Sequence, residues 1–368
     1  MKKYLLNIAT LMMGAMMFTA CSDDNDDVIL PDYVNASNGV YVVCSGNKSS
    51  AIDGSLTYYD YSTKESKLSV FKSVNGRSLG ITANDMIVYG SKAYIAVDGE
   101  NSIEVVDAKT MKSIKRLSTT TMLGNEKGVG PRQLTGNNGL VYFSTYGRTV
   151  AAIDTTDFNL QKTYSVGSYP EGIAVSNGFL YTANSDYGNQ KYVSITKTNL
   201  STGQTDSIKH EAITNPQKIE VVGSDIYFLD YGHYDASYNQ LDAGVRKISA
   251  DGTVTRLFAA TGMARNGSKI YYFNNAYGSS STNYGVYDIA AGTDKALNLQ
   301  GIESPAAIGI DPINNYLIIA SRKLVGGYPS YKTNGYLNQY DKNGNLVNHG
   351  IECGVGPTSI AFNLSYKK

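Results

Sequence analysis

One five-residue pattern recurs seven times along the 368-residue chain: a small or polar residue, an apolar residue, Tyr, and two more residues that are mostly apolar. The seven copies are centred on Tyr41, Tyr94, Tyr142, Tyr181, Tyr227, Tyr271 and, with Leu in place of Tyr, Leu317. Their spacings of 53, 48, 39, 46, 44 and 46 residues are close to the length of a four-stranded propeller blade. The repeat therefore predicts an all-β fold with seven similar units.

Acidic corners follow most copies of the pattern. A second short strand ends in Asp60, Asp107, Asp154, Asp288 and Asp341. Because an Asp side chain bonds to its own backbone in tight turns, each of these residues predicts a hairpin to an outer strand. The segment 341–345 also has a calcium-like spacing, but it lacks the distal Glu of a calcium loop, and we interpret it as another hairpin.

The two ends of the repeat array are complementary. A strand that begins with Gly or Pro precedes most copies, as at Pro170, Pro216 and Pro305. An eighth such strand, 356–362, has no copy after it, and the first copy has no such strand before it. We therefore expect a seven-bladed β-propeller over residues 37–366, closed by pairing of the N- and C-terminal strands in one blade. This closure brings Cys44 and Cys353 to the same end of the blade, as a disulfide or as two buried free thiols.

The first residues form a targeting signal. Lys2 and Lys3 precede an apolar stretch, and Phe18-Thr19-Ala20 precede a cysteine, so that residues 1–20 are predicted to be a signal peptide that is removed. The segment resembles a bacterial lipobox, which implies acylation of Cys21, and the acidic run at 23–27 resembles the export signal of Bacteroidetes surface lipoproteins. Residues 21–36 are then a lipidated tether, and the expected location is the outer membrane, at the cell surface.

Several functional classes are excluded by composition and by missing motifs. Lys and Arg number 32 and so do Asp and Glu, without a long basic run, which argues against nucleic acid or an anionic membrane surface as a partner. The three histidines, His210, His233 and His349, have no metal-ligand spacing, and neither a nucleophile elbow nor a phosphate-binding loop is present. We expect a protein that is not an enzyme and holds neither a metal nor a cofactor.

Tyrosine is concentrated in the connections between the second and third strands of blades 3 to 7. These connections should emerge on one face of the ring, several are long for hairpins, and they contain nine Tyr among Ser, Gly and Asn. That composition is typical of recognition loops, although Tyr could simply replace Phe in a chain with 30 Tyr and 9 Phe. The candidate ligand-binding residues on this face are Arg132, Tyr146, Arg148, Tyr169, Tyr187, Tyr231, His233, Tyr234, Asn275, Tyr277, Arg322 and Tyr328.

The repeat over residues 37–366 resembles that of the YncE-like seven-bladed propellers. Together with the N-terminal signal, the chain is similar to the BtuG family of Bacteroidetes surface lipoproteins. The resemblance implies capture of cobalamin or another corrinoid and its delivery to a BtuB-like TonB-dependent transporter. No short motif transfers individual site residues from that family. Two other classes stay open, a surface glycan-binding protein and a protein-binding scaffold, because propellers serve many functions.

Overall fold

Seven antiparallel sheets of four strands each make up the computed structural model of the protein, which describes residues 34–125 and 127–366. The seven-bladed propeller predicted from the repeat is confirmed. Each of the seven sequence patterns forms the second strand of a blade, next to the innermost one. The hairpin corners are also confirmed, because Asp60, Asp107, Asp154, Asp288 and Asp341 each accept hydrogen bonds from backbone N–H groups two to four residues further on.

The strands of the first four blades follow one another along the chain, and blade 1 lacks its inner strand at this point. Blade 1 contains β1 (Val34–Cys44), β2 (Ser55–Asp60) and β3 (Ser66–Lys67); blade 2 contains β4 (Ala83–Tyr89), β5 (Lys92–Val97), β6 (Ser102–Asp107) and β7 (Ser113–Ser118). Blade 3 contains β8 (Pro131–Asn137), β9 (Leu140–Thr145), β10 (Thr149–Asp154) and β11 (Leu160–Ser165); blade 4 contains β12 (Pro170–Ser176), β13 (Phe179–Asn184), β14 (Ser194–Asn199) and β15 (Thr205–Ile208).

Blades 5 and 7 carry an extra two-stranded ribbon each. Blade 5 contains β16 (Pro216–Val222), β17 (Asp225–Asp230), the ribbon β18 (His233–Tyr234) and β19 (Gln240–Leu241), β20 (Gly244–Ile248) and β21 (Val254–Phe258). Blade 6 contains β22 (Gly262–Asn266), β23 (Lys269–Asn274), β24 (Asn283–Asp288) and β25 (Thr293–Leu297). Blade 7 contains β26 (Ser304–Ile310), β27 (Leu317–Arg322), the ribbon β28 (Leu324–Val325) and β29 (Tyr328–Pro329), β30 (Asn334–Tyr340) and β31 (Leu346–Val355).

The last strand closes the ring. β32 (Pro357–Tyr366) pairs antiparallel with β1, with Tyr41 opposite Ala361 and Cys44 opposite Pro357, so it becomes the inner strand of blade 1. The predicted closure is therefore confirmed, and neither end of the ring leaves an unpaired edge. β1 begins at Val34, so the last three residues of the predicted tether belong to this strand.

The core lies between the blades. Because side chains alternate along a strand, Val40, Val42 and Cys44 face blade 7 while Tyr41 and Val43 face blade 2. The described residues form seven such clusters, one for each pair of neighbouring blades. The Tyr of the repeated pattern is buried in all six blades that have it. These six rings are core residues.

Helices are short. They are the α-helices α1 (Val70–Asn75) and α2 (Thr119–Leu123) and three 3-10 turns, Lys48–Ser50, Asp98–Glu100 and Asp186–Gly188. Within the described ranges, no helix has the length and apolar character needed to cross a membrane. The predicted signal peptide, residues 1–20, and Cys21 lie outside the described residues.

Candidate functional site

One face of the ring collects the connections from second to third strands. Each inner strand begins where the second strand of its blade ends, as Pro131 opposite Thr145 and Pro170 opposite Asn184 show. The links between blades therefore reach the same face as these connections, as predicted. We call this the loop face; in blades 3 to 7 its connections span residues 146–148, 185–193, 231–243, 275–282 and 323–333.

Exposed tyrosines in the described part of the chain are confined to the loop face. Among the described residues, the tyrosines with large exposed surfaces are Tyr169, Tyr187, Tyr192, Tyr234, Tyr238, Tyr277, Tyr328 and Tyr331. All eight lie on the connections of blades 4 to 7 or on the link that enters blade 4. If Tyr merely replaced Phe throughout the chain, exposed rings would occur on both faces. Their distribution therefore separates them from the buried strand tyrosines.

Three candidate tyrosines, the half-buried Tyr146 and the exposed Tyr169 and Tyr187, form a cluster at blades 3 and 4. The ring centroids of Tyr146 and Tyr169 are 5.2 Å apart, those of Tyr146 and Tyr187 are 5.9 Å apart, and those of Tyr169 and Tyr187 are 5.2 Å apart. The first two pairs meet edge to face, the arrangement that aromatic quadrupoles favour. Tyr169 and Tyr187 hold left-handed backbone conformations, with φ of 50° and 53°. The cluster is thus fixed in place at some conformational cost.

A network of ion-paired and hydrogen-bonded side chains contacts the cluster through Tyr146. The Tyr146 hydroxyl donates to Oε1 of Glu171 at 2.5 Å, and the Arg132 guanidinium lies 4.4 Å from the centre of the Tyr146 ring. Arg132 also pairs with Oε2 of Glu171 at 3.3 Å and with Asp98 at 3.8 Å. Glu171 is 5% exposed, so its carboxylate depends on these partners in place of water. We call these four side chains the Arg132 network.

The pKa values of the network follow from burial. Burial raises the pKa of the Glu171 carboxyl, although Arg132 and the Tyr146 hydroxyl act in the opposite direction. Burial also raises the pKa of Tyr146, and the neighbouring Glu171 raises it further. Burial opposes the charged form of Arg132, but the carboxylates of Glu171 and Asp98 raise its pKa overall. Arg132 therefore stays charged, with its charge already balanced within the protein.

The charges of Glu171 and Arg322 both act on Tyr231. Burial raises the pKa of Tyr231 to about 12, Glu171 and Tyr234 add to the rise, and Arg322 opposes it. The Arg322 guanidinium in turn stacks on the Tyr331 ring, 4.9 Å from its centre.

The connections of blades 5 and 6 support each other. The backbone N–H of Gln240 donates to the Tyr277 carbonyl at 2.9 Å, and the Tyr277 N–H donates to the Gln240 side chain at 3.2 Å. His233 and Tyr234 form one strand of the blade 5 ribbon and pair with Leu241 and Gln240. The ribbon gives Tyr234 and Tyr277 a defined position while leaving 50% and 65% of their surfaces exposed.

The structure brings together some of the predicted residues in separate groups. Arg132, Tyr146, Tyr169 and Tyr187 form one connected group. Arg322 lies on Tyr331, and His233, Tyr234 and Tyr277 lie in the adjoining connections of blades 5 and 6. Arg148 is exposed at a turn with φ of 62°, Asn275 bonds to Thr282 within its own loop, and Tyr328 projects from the blade 7 ribbon. In the described ranges, these three make no ring or ion-pair contact with these groups. Their role in binding stays a prediction.

Sequence reasoning missed Glu171 and Asp98, and it counted Tyr331 among the nine loop tyrosines without selecting it as a binding residue. Glu171 directly follows the proline that begins its inner strand, where blades 3 and 5 have Arg132 and Gln217. An acid at the crowded start of an inner strand is a detectable signal, because such a carboxylate needs a cationic partner. The predicted absence of a metal site is not contradicted: the described residues contain no group of three or more His, Cys, Asp or Glu that could hold a metal ion.

Cys44 and Cys353 meet where blade 7 contacts blade 1. Both are buried free thiols in the same cluster, and Cys353 lies in the outer strand of blade 7. A hydrogen bond with Cys44 and burial raise the pKa of the Cys353 thiol well above its usual value. The expected proximity is therefore found, while a disulfide in the exported protein stays a prediction.

Comparison with known proteins supports the fold. No protein-family model matches the chain, and no curated protein matches it in sequence. Proposed 6-phosphogluconolactonases of known structure from Bacteroides uniformis and Bacteroides fragilis are 13% and 14% identical, with TM-scores of 0.59 and 0.56. The matches cover 89% of this chain in both cases, and 100% and 98% of those chains. Hydrazine synthase of Kuenenia stuttgartiensis is 17% identical, with a TM-score of 0.57 over 76% of this chain and 89% of that one.

At such low identities, these similarities establish the fold alone. They include 6-phosphogluconolactonase-like propellers, and they identify neither the YncE-like group nor the BtuG family. The chain is thus a seven-bladed β-propeller, a fold that suits binding or scaffolding in general.

Proposed function

We propose that this protein is a lipid-anchored cell-surface receptor whose loop face captures a small-molecule ligand and passes it to a TonB-dependent outer-membrane transporter. The observation that carries the proposal is that the eight exposed tyrosines among the described residues all lie on that face. Nothing in the packing of the blades requires rings at those positions, whereas ligand binding does. The anchor at Cys21 and the transporter are parts of the proposal that come from the sequence resemblance.

A corrinoid, with cobalamin as the first example, is the ligand we propose. A corrin is a broad disc edged with amides, and one tyrosine can cover apolar area while its hydroxyl bonds to an amide. The Tyr146, Tyr169 and Tyr187 cluster and the exposed Tyr234 and Tyr277 provide such rings on the connections of blades 3 to 6. A large flat ligand could contact both groups at once.

A glycan is the second candidate. The edge-to-face Tyr146, Tyr169 and Tyr187 cluster presents ring faces close to a carboxylate and a guanidinium, which would suit stacking on a sugar and bonding to its hydroxyls. In this case one sugar ring would need only blades 3 and 4.

Gel filtration with cyanocobalamin tests the proposal. The domain lacking residues 1–21 is mixed with cyanocobalamin, and absorbance at visible wavelengths is recorded across the column. We expect the corrinoid colour to co-elute with the protein, and Tyr187→Ala combined with Tyr277→Ala to weaken that co-elution by at least about ten-fold. Leu346→Ala, on the outer strand of blade 7, is the matched control and should leave it unchanged, since Leu346 is 42% exposed away from the cluster.

A colourless protein peak at micromolar protein would contradict the corrinoid proposal. The same domain is then tested against polysaccharides by affinity electrophoresis. The glycan alternative would be supported if the polysaccharide slows migration of the protein, Tyr187→Ala abolishes this retardation and Tyr277→Ala leaves it intact.

A further inference from the structure

The eight arginines of the chain differ in whether their charge is balanced. Six of them form ion pairs with Asp or Glu: Arg77, Arg116, Arg132, Arg246, Arg256 and Arg265. Arg148 is exposed to solvent, so water can balance its charge. Arg322 is the partly buried arginine without an ion pair among the described residues.

One donor of Arg322 is also unsatisfied. Its Nε atom is buried and has no hydrogen-bond partner within the part of the chain that the structure describes. A buried donor without an acceptor costs on the order of 1–3 kcal/mol, so such a group needs a reason to persist. Glu303, in the segment that leads into the inner strand of blade 7, is engaged elsewhere: its carboxylate accepts a hydrogen bond from the backbone N–H of Leu324.

The Tyr331 ring lies next to the Arg322 side chain. The guanidinium carbon is over this ring, 4.9 Å from its centre. A stacked guanidinium keeps its in-plane N–H groups free, and these groups match the two oxygens of a carboxylate or phosphate. The connection 323–333 adds Lys323 and Lys332 and contains no acid.

We propose that Arg322 is the oxyanion-binding residue of the loop face, where its guanidinium, stacked on Tyr331, binds a phosphate or carboxylate group of the ligand. Arg132 has a different role: its pairs with Asp98 and Glu171 make it a positioning residue for Tyr146. The proposal rests on ligand capture by the loop face, but not on a corrinoid as the ligand. It restricts the ligand to compounds that carry an oxyanion in addition to a surface that tyrosines can cover.

Arginine Nε–H signals measured by NMR test this directly. The domain labelled with ¹⁵N-arginine is titrated with sodium phosphate and, separately, with sodium acetate at constant ionic strength. The Arg322 signal is assigned from Arg322→Gln. We expect that signal to shift and saturate, the Arg132 signal to stay in place, and Tyr331→Leu to weaken phosphate binding by about ten-fold because the stacking surface is lost. Arg116→Gln, on an outer strand, should leave the titration unchanged.

Two results of the NMR titration would overturn the assignment. One is an Arg322 signal that moves no more with phosphate or acetate than with sodium chloride. The other is a saturable shift of the Arg132 signal instead. A saturable Arg322 shift combined with failure of cyanocobalamin to co-elute would retain the oxyanion site and reject the corrinoid. If cyanocobalamin co-elutes with the protein and Arg322→Gln leaves that co-elution unchanged, the corrinoid is retained and the oxyanion role of Arg322 is rejected.

Discussion

The loop face and the opposite face are built from the same seven blades, yet acidic side chains have different roles on the two faces. On the opposite face, hydrogen bonds from neighbouring N–H and hydroxyl groups hold the pKa of Asp60 and Asp107 below the usual value. On the loop face, burial raises the pKa of Glu171 and Asp98. The hairpin acids Asp60 and Asp107 satisfy the backbone, whereas Glu171 and Asp98 organise Arg132 and Tyr146. The comparison separates residues that the fold requires from residues of the proposed ligand site.

The largest expected effect comes from comparing a core tyrosine with a loop tyrosine. Tyr340 is fully buried between blades 6 and 7, and its hydroxyl donates to the Gln300 carbonyl at 2.6 Å. Tyr340→Ala should lower the free energy of unfolding by about 3–5 kcal/mol. Tyr277→Ala should change it by less than about 0.5 kcal/mol, because Tyr277 is 65% exposed. Urea unfolding followed by circular dichroism gives both values.

Similar losses of unfolding free energy in Tyr340→Ala and Tyr277→Ala would contradict the separation of fold residues from residues of the proposed ligand site. Tyr340→Phe serves as the control for packing, since it keeps the ring and removes only the hydroxyl. It should cost about 1–2 kcal/mol.

The acids of the two faces should give stability profiles of opposite slope. A carboxyl whose pKa is raised in the folded state stabilises the fold at low pH and loses that contribution as pH rises. The stability of Glu171→Gln relative to the wild type should therefore increase as the pH rises above about 4.5. Asp60 has a lowered pKa, so its contribution is complete above its unfolded pKa of about 4 and is lost as the pH falls through the lower folded value. Asp60→Asn should therefore lose stability relative to the wild type as the pH rises from about 2 to about 4, and the difference should stay constant above that. Thermal melts from acid to neutral pH measure both slopes, and slopes of the same sign would show that the two environments do not differ as described.

The smallest expected effect concerns two groups that the fold buries at the loop-face end of the ring. Cys44 and Cys353 are fully buried, so iodoacetamide should leave the mass of the native domain unchanged. Alkylation in denaturant then distinguishes the two states: two added groups indicate free thiols, and addition only after reduction indicates a disulfide. Rapid labelling of the native domain would contradict the tight packing of blade 7 against blade 1.

The sequence was sufficient for the architecture because the repeat records how each blade is built. The buried Tyr of the second strand, the Asp at the hairpin and the Gly or Pro before the inner strand recur at blade spacing, and the surplus strand at 356–362 reveals the closure. The position of the loop face also follows from the order of strands.

The details of the site were less accessible from the sequence. The Arg132 network joins residues from blades 2, 3 and 4, and Arg322 meets Tyr331 only because the blade 7 connection folds back. Such contacts depend on loop conformations, including the left-handed backbone at Tyr169 and Tyr187, and loop composition alone does not encode them. The sequence placed the loop tyrosines on one face of the ring. Only the structure shows that Arg132 is ion-paired with Asp98 and Glu171 while Arg322 is not paired with an acid among the described residues.

Tyrosine footprinting tests the central claim, that the loop face binds the ligand, most directly. The domain is acetylated with N-acetylimidazole with and without cyanocobalamin, and the modification of each Tyr is quantified by mass spectrometry. We predict protection of Tyr169, Tyr187, Tyr234 and Tyr277, and unchanged modification of Tyr316 on the opposite face. Protection of Tyr316, or bound corrinoid that protects none of the loop-face tyrosines, would contradict the claim.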